Sequence, residues 1–216
     1  MRIVAMADTH NQHERIHVPD GDVLVHAGDL CGWGDLDELD AAGAWLSALP
    51  HAIKIVVAGN HDWAFARHPI DARRCFADDV VYLQDSGADP GGLRVWGSPW
   101  QPRFNDWAFN LPRGAALAEK WALIPDGTEL LITHGPPYGV GDAVTARRHE
   151  GCSNLRERVA MIRPRLHLFG HIHEDRGAWR HGSTVFANVT VDEGRLPPMV
   201  IDLDGDRVIA DGVEIR

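Results

Sequence analysis

The sequence predicts an α/β fold in which two β-sheets pack against each other between layers of helices. The functional site is expected at the carboxyl ends of the strands. Three observations carry this reading. Short apolar runs alternate with helical patterns in the first half, and strand signals dominate the end of the chain. Five of the apolar runs stop at small clusters of Asp, Asn and His. Open α/β sheets bind their ligands at that end of the strands.

The elements follow in order. Ile3-Val4-Ala5-Met6-Ala7 is a buried strand that stops at Asp8-Thr9-His10. Val23-Leu24-Val25 runs into His26-Ala27-Gly28-Asp29. Residues 35–49 place Leu36, Leu39, Ala42, Leu46 and Leu49 on one helical face, and Pro50 stops them. The strand Ile53–Ala58 ends at Gly59-Asn60-His61-Asp62, and a helix is expected from Asp62 to about Cys75. Tyr82-Leu83 and Leu93–Trp96 read as strands around a Pro-Gly-Gly turn at 90–92. Residues 97–128 form a long stretch broken by Pro99, Pro102, Pro112 and Pro125, with a helix at Ala115–Leu123. Leu130-Leu131-Ile132 ends at Thr133-His134-Gly135, and a Gly- and Pro-rich loop spans 135–153. A helix at Asn154–Ile162 precedes the strand Leu166–Phe169, which ends at Gly170-His171-Ile172-His173. Val185–Val189 and a hairpin at 199–215, turning at Asp204-Gly205, close the chain. With no long linker and no low-complexity segment, residues 1–216 read as one domain.

Bulk composition narrows the function. The chain is 44% hydrophobic and 24% charged, as an ordinary globular protein is, and its net charge is −10. Long nucleic acid is therefore an unexpected partner, because it selects a basic surface. Small phosphorylated substrates remain open, since bound cations make a pocket locally positive. Cys31, Cys75 and Cys152 form no disulfide framework, and Cys31 is read as packing. No apolar run reaches membrane-spanning length, and the first strand already carries a ligand at Asp8. A cytoplasmic protein without a membrane partner is expected; the sequence is silent on oligomeric state.

The clusters carry the chemistry. Asp8, His10, Asp29, Asn60, His134, His171 and His173 supply oxygen and nitrogen donors. Seven are too many for one ion and suit two ions that share a bridging carboxylate. Each cluster alone has an ordinary explanation. Gly-Asp is a common turn, Asn60 or Asp62 could cap a helix, and a single buried His is usually a core residue. Five clusters in this order, all at strand ends, favour two metals and hydrolysis of a phosphate ester.

The order Asp-x-His, Gly-Asp, Gly-Asn-His-Asp, lone His and Gly-His-x-His resembles the calcineurin-like metallophosphoesterase superfamily. Residues 53–61, 97–114 and 133–137 are similar to the branch of metallophosphoesterase-domain proteins related to class III cyclic nucleotide phosphodiesterases. The resemblance implies the four-layer fold of that superfamily. It implies that Asp8, His10 and His173 hold one ion, that Asn60, His134 and His171 hold the other, and that Asp29 bridges them. It implies that His61 is catalytic, facing the substrate and protonating the leaving oxygen. Phosphoprotein phosphatases of the superfamily carry an Asp three residues after the bridging Asp, which orients that histidine; here position 32 is Gly.

The expected activity is a dinuclear phosphodiesterase acting on small phosphodiesters, cyclic nucleotides among them. Two ions about 3.5–4 Å apart lower the pKa of a shared water, and the bridging hydroxide attacks phosphorus. Mixed imidazole and carboxylate donors suit Mn, Fe or Zn better than Mg, and Mn is expected in vitro. Arg103 and Trp107 are candidate substrate-binding residues. Trp33, Trp63, Trp100 and Trp107 lie in or next to the site loops and could stack a nucleobase, although core filling is the ordinary role of Trp. Arg103, Arg113, Arg147 and Arg148 lie in the long loops, and no Arg is adjacent to a ligand cluster. The rivals are a phosphomonoesterase or nuclease on the same site, and a metal-binding scaffold that has lost catalysis.

Overall fold

The computed structural model describes residues 1–215. Its strands, in chain order, begin with β1 (Arg2–Met6), β2 (Val23–His26), β3 (Ile53–Val57), β4 (Val80–Leu83), β5 (Ser86–Ala88) and β6 (Val95–Ser98). There follow the short β7 (Gln101–Pro102) and β8 (Asn110–Leu111), then β9 (Leu130–Thr133), β10 (Ala143–Thr145), β11 (Arg148–His149) and β12 (Leu166–Phe169). The series closes with β13 (Gly177–His181), β14 (Thr184–Asn188), β15 (Met199–Asp204), β16 (Arg207–Ala210) and β17 (Val213–Glu214). The helices are α1 (Leu36–Ala48), α2 (Trp63–Arg67), α3 (Pro69–Arg74), α4 (Ala115–Ala122) and α5 (Ser153–Ile162).

Seven strands form the first sheet in the order β17-β16-β15-β1-β2-β3-β4, and six form the second in the order β13-β14-β12-β9-β6-β5. Their central strands are parallel, so β1, β2 and β3 finish on one rim, and β9 and β12 do likewise in the second sheet. The apolar runs are continuous because both faces of each sheet are covered. Ile3, Val25 and Ile55 of the first sheet meet Leu130, Leu168 and Val185 of the second in one core. Val4, Leu24 and Val56 on the outer face pack on Leu39, Ala42 and Leu46 of α1, with Phe65 and Ala72 from the next two helices. On the other outer face Leu131, Phe169 and Phe186 meet Leu117 and Trp121 of α4 and Leu155 and Val159 of α5. The layering is helix, sheet, sheet, helix, as the strand ends and helical stripes predict.

Three expectations need correction. The helix expected from Asp62 to Cys75 is two helices, broken at His68, whose φ is −135°. Pro69 has no N–H to donate and disfavours helical backbone in the residue before it. The strands at 82–83 and 93–96 are not partners. β4 joins the first sheet beside β3, whereas β5 pairs with β6 in the second. The chain changes sheets at Gln84-Asp85, where Asp85 takes a φ of 48°. The loop 135–153 also carries a small hairpin of β10 and β11. Among the described residues, no helix is long and apolar enough to cross a membrane.

Candidate metal centre

All seven donor side chains lie on the shared rim of the two sheets. Asp8, Asp29, Asn60 and His10 come from the first sheet, and His134, His171 and His173 from the second. The turns that aim them are tight. Asp8, His10, Asp29 and His171 all have positive φ, at 59°, 41°, 56° and 71°. Non-glycine residues rarely adopt that region, and they do so where surrounding structure enforces it for a site. Gly59 is needed for space: a Cβ there would collide with the Asp29 side chain and lie 2.7 Å from Cε1 of His134.

The donors gather in overlapping groups. Asp8, His10 and His173 each offer an atom within 4.8 Å of the others, and so do Asp29, His134 and His171. A third group joins His10 and Asp29 to His61. Nε2 of His10 and Nε2 of His134 lie 3.7 and 3.4 Å from Oδ2 of Asp29, so that one carboxylate stands between the first two groups. Asn60 Oδ1 is 3.0 Å from His134 Nε2, and His173 Nε2 is 3.7 Å from Asp8 Oδ1.

The ring nitrogens fit a metal. Nδ1 of His10 donates to the Cys31 carbonyl at 3.2 Å, Nδ1 of His134 to the Ala27 carbonyl at 3.0 Å, and Nδ1 of His173 to Asp192 at 3.0 Å. Each bond fixes the ring and leaves Nε2 to face the carboxylates, the usual support of a metal-ligating histidine. Most of those Nε2–oxygen gaps are too long for hydrogen bonds. They suit neighbouring donors on one ion with bonds of about 2.0–2.2 Å.

His61 lies beside these groups. Its Nδ1 donates to the Gly32 carbonyl at 2.7 Å, and its backbone N–H donates to Asp29 Oδ1 at 2.8 Å. The carboxylate that Gly32 cannot supply is thus replaced by the backbone of the same residue. Glu38 of α1 secures that backbone by accepting the N–H groups of Gly32, Trp33 and Gly34 at 2.8–3.0 Å.

The comparisons agree with this geometry. A family model described as calcineurin-like phosphoesterase matches residues 1–175. The chain belongs to the calcineurin-like phosphoesterase family. It is 41% identical to metallophosphoesterase domain-containing protein 1 of Homo sapiens, across 95% of this chain and 72% of that protein. It is 38% identical to a UPF0046 protein of Caenorhabditis elegans, across 87% of this chain and 69% of the relative. A solved structure from Thermus thermophilus superposes with a TM-score of 0.67 at 15% identity, covering 97% of each chain, which speaks for the fold.

Several residues important to this phosphoesterase centre were not legible as such. Asp62, for which helix capping was the ordinary alternative, makes no capping bond; its buried carboxylate accepts N–H groups from Gly59, Asp29 and Cys31 at 2.7–3.0 Å. It ties the bridging turn to the Asn60 turn. His26 and His167 are fully buried and bond Thr9 and Thr133, each next to a ligand; burial pushes both down to about 3, so they stay neutral. Cys31 is buried and packs in the core beneath α1, as expected.

The tryptophans divide. Trp107 stacks on His61 with ring centroids 4.0 Å apart, so its inner face is taken. Trp100 donates to Asp85, and Trp63 lies under Arg67. Trp33 alone of the four is widely exposed, at 78%, on the rim of the hollow that holds His10, Asp29 and His61. The loop arginines divide too. Arg103, Arg113, Arg148 and Arg195 line a cleft of about 700 Å³ that contains His171 and His173. Three are committed: Arg113 and Arg148 to Glu150, and Arg195 to Asp192 and Glu193. Arg103 has no side-chain partner among the described residues and sits next to the half-exposed Phe104. Arg147 does not line this cleft.

Charge in the cluster follows from burial and pairing. Burial disfavours ionised Asp8, but contact with His173 and the charges of His134 and His173 outweigh it and hold Asp8 at about 2. Burial lowers His134 and His173, but Asp29 and Asp8 respectively outweigh it and raise both to about 9. Without metal, these protons stabilise the fold fully below the ordinary imidazole value, and that contribution fades as pH rises through about 9. A metal needs the neutral ring, so binding expels the protons and tightens as pH rises toward 9. Titration of metal-free protein with Mn at pH 7, in buffers of different ionisation enthalpy, is expected to show release of one to two protons. Affinity that is flat from pH 6 to 9 would contradict this electrostatic account.

Proposed function

We propose that the protein is a dinuclear, metal-dependent phosphodiesterase for small phosphodiesters, with cyclic nucleotides among its slower substrates. The observation that supports it most is the convergence of three Nδ1-anchored imidazoles on Asp8 and Asp29, with His61 anchored alongside. Asp8, His10 and His173 would hold one ion and Asn60, His134 and His171 the other, with Asp29 between them. When bound, the ions activate a water and take up charge on the phosphate oxygens. Mn is the metal expected to work in vitro, with Fe or Zn as alternatives.

The chain's own residues do the rest. The Gly32 carbonyl holds Nδ1 of His61, leaving Nε2 without a protein partner among the described residues. His61 gives its Nε2 proton to the ester oxygen as that oxygen leaves phosphorus, and recovers a proton from solvent. A diester needs this help because an alkoxide leaves poorly. Trp33 and Phe104 offer apolar surface for the second ester group.

Arg103 favours one competing reading. A monoester dianion benefits from a guanidinium beyond the two ions, and Arg103 is free to supply one. Chelated protein reloaded with Mn separates the two. An aryl phosphodiester is expected to show a higher kcat/KM than the matching monoester from neutral to alkaline pH. A clear preference for the monoester would assign the protein to that second class, and no turnover of either ester would leave a metal-binding scaffold.

A further inference from the structure

We propose that Trp107 is a positioning residue for His61, and that the segment 101–111 exists to hold it there. The inference rests on the acid role given to His61 above and extends it to a residue outside the donor set. The His61 ring is confined on three sides. Its Nδ1 is bonded to the Gly32 carbonyl at 2.7 Å, the His10 ring meets it edge-on at 4.6 Å, and the Trp107 indole lies nearly parallel at 4.0 Å with an interplanar angle of 27°. One hydrogen bond leaves a ring free to pivot about it; a flat indole against its face removes that freedom.

The segment is built for this. β7 and β8 pair with each other, and the buried Gln101 donates Nε2 to the Ala108 carbonyl at 3.0 Å and to Asn110 Oδ1 at 2.9 Å. Asn110 in turn donates to the Phe104 carbonyl at 2.8 Å. Asn105 and Phe109 take positive φ of 49° and 52°, which folds the chain tightly on either side of Trp107. The next residue fixes the height of the indole: Ala108 N–H donates to the Asn60 carbonyl at 3.0 Å. Asn60 is itself a donor of the centre, so the indole is registered to the donor set through a single peptide. A tryptophan with only a core-filling role would not need that link, nor the two left-handed residues around it.

An orienting role differs from a packing role in what it does to different leaving groups. A phenolate that leaves readily needs little protonation, whereas an alkoxide depends on it. The test uses Mn-loaded protein and two diesters, one with a nitrophenolate leaving group and one with a simple alkoxide. Trp107→Ala is expected to lower kcat on the alkyl diester at least about tenfold more than on the aryl diester, a share of the 10²–10⁴-fold ascribed to general acids. Trp107→Phe, which keeps a flat ring, is expected to recover most of that difference. Bound Mn per chain is expected to match the parent.

Equal losses on both substrates, or loss of Mn, would make Trp107 merely structural and overturn the proposal. So would a Phe variant no better than Ala. His61→Ala run in parallel separates the levels. If it shows the leaving-group dependence and Trp107→Ala does not, only the positioning role fails. If His61→Ala shows none, the acid role fails and the positioning role with it.

Discussion

Asp29→Asn is expected to strip the protein of both ions and of activity. Asp29 is buried, and its carboxylate approaches both His10 and His134. Burial disfavours its charge, but the adjacent His134, with His10 and His61, outweighs that and holds the carboxyl well below its usual range. It is therefore anionic at every working pH. Asn keeps the shape and removes the charge, so the change tests electrostatics rather than packing. The loss in affinity is expected to exceed the about 10–100-fold that follows loss of an outer-shell partner. His173→Ala, which touches one group, is expected to release mainly one ion. Elemental analysis after Mn loading and desalting, with a thermal melt to confirm folding, reads both outcomes. Equal loss of metal in the two variants would contradict the shared position of Asp29.

His61→Ala is expected to keep its metal and lose about 10²–10⁴-fold in kcat. The side chain is held by Gly32 and Trp107 rather than by the carboxylates alone, so removing it leaves the donor set in place. KM is expected to move little, because proton donation acts in the transition state. His61 also comes within 4.8 Å of His10 and Asp29, which makes the metal measurement decisive. A variant that loses an ion along with activity would move His61 from proton donor to ligand.

The donors were legible because each sits in a short motif that ends an apolar run. Such runs must be buried strands, and parallel strands put their ends on one rim. The helix of residues 36–48 was legible for a similar reason, since its apolar spacing and the Pro50 that stops it are local. What escaped depends on long-range contact. Nothing near Asp62 in sequence shows that its carboxylate will accept N–H groups from residues 29 and 31. Arg103 was a candidate from its place in a long loop, but nothing near it in sequence shows that its cleft is shared with Arg195. Trp107 could be read as a substrate wall because its neighbour, His61, is 46 residues away in the chain. Pro69 is a local signal as well, and it divides the stretch 62–75 into two short helices. The change of sheet at residues 84–85 has no apolar signature, because β4 and β5 are both edge strands and β5 has no fully buried residue.

Each of the two proposed ligand sets draws on both sheets: Asp8 and His10 from one rim with His173 from the other, and Asp29 and Asn60 with His134 and His171. An ion bound there acts as a rivet across the seam. Its full ligand set exists only with the two sheets docked; the first sheet alone offers His10, Asp29 and His61. By mass action, an ion at 100 times its dissociation constant adds about 2.7 kcal/mol to the docked state. Catalytic readiness and mechanical cohesion thus draw on the same bonds, and a cell that withholds the metal would meet a looser protein as well as an idle one.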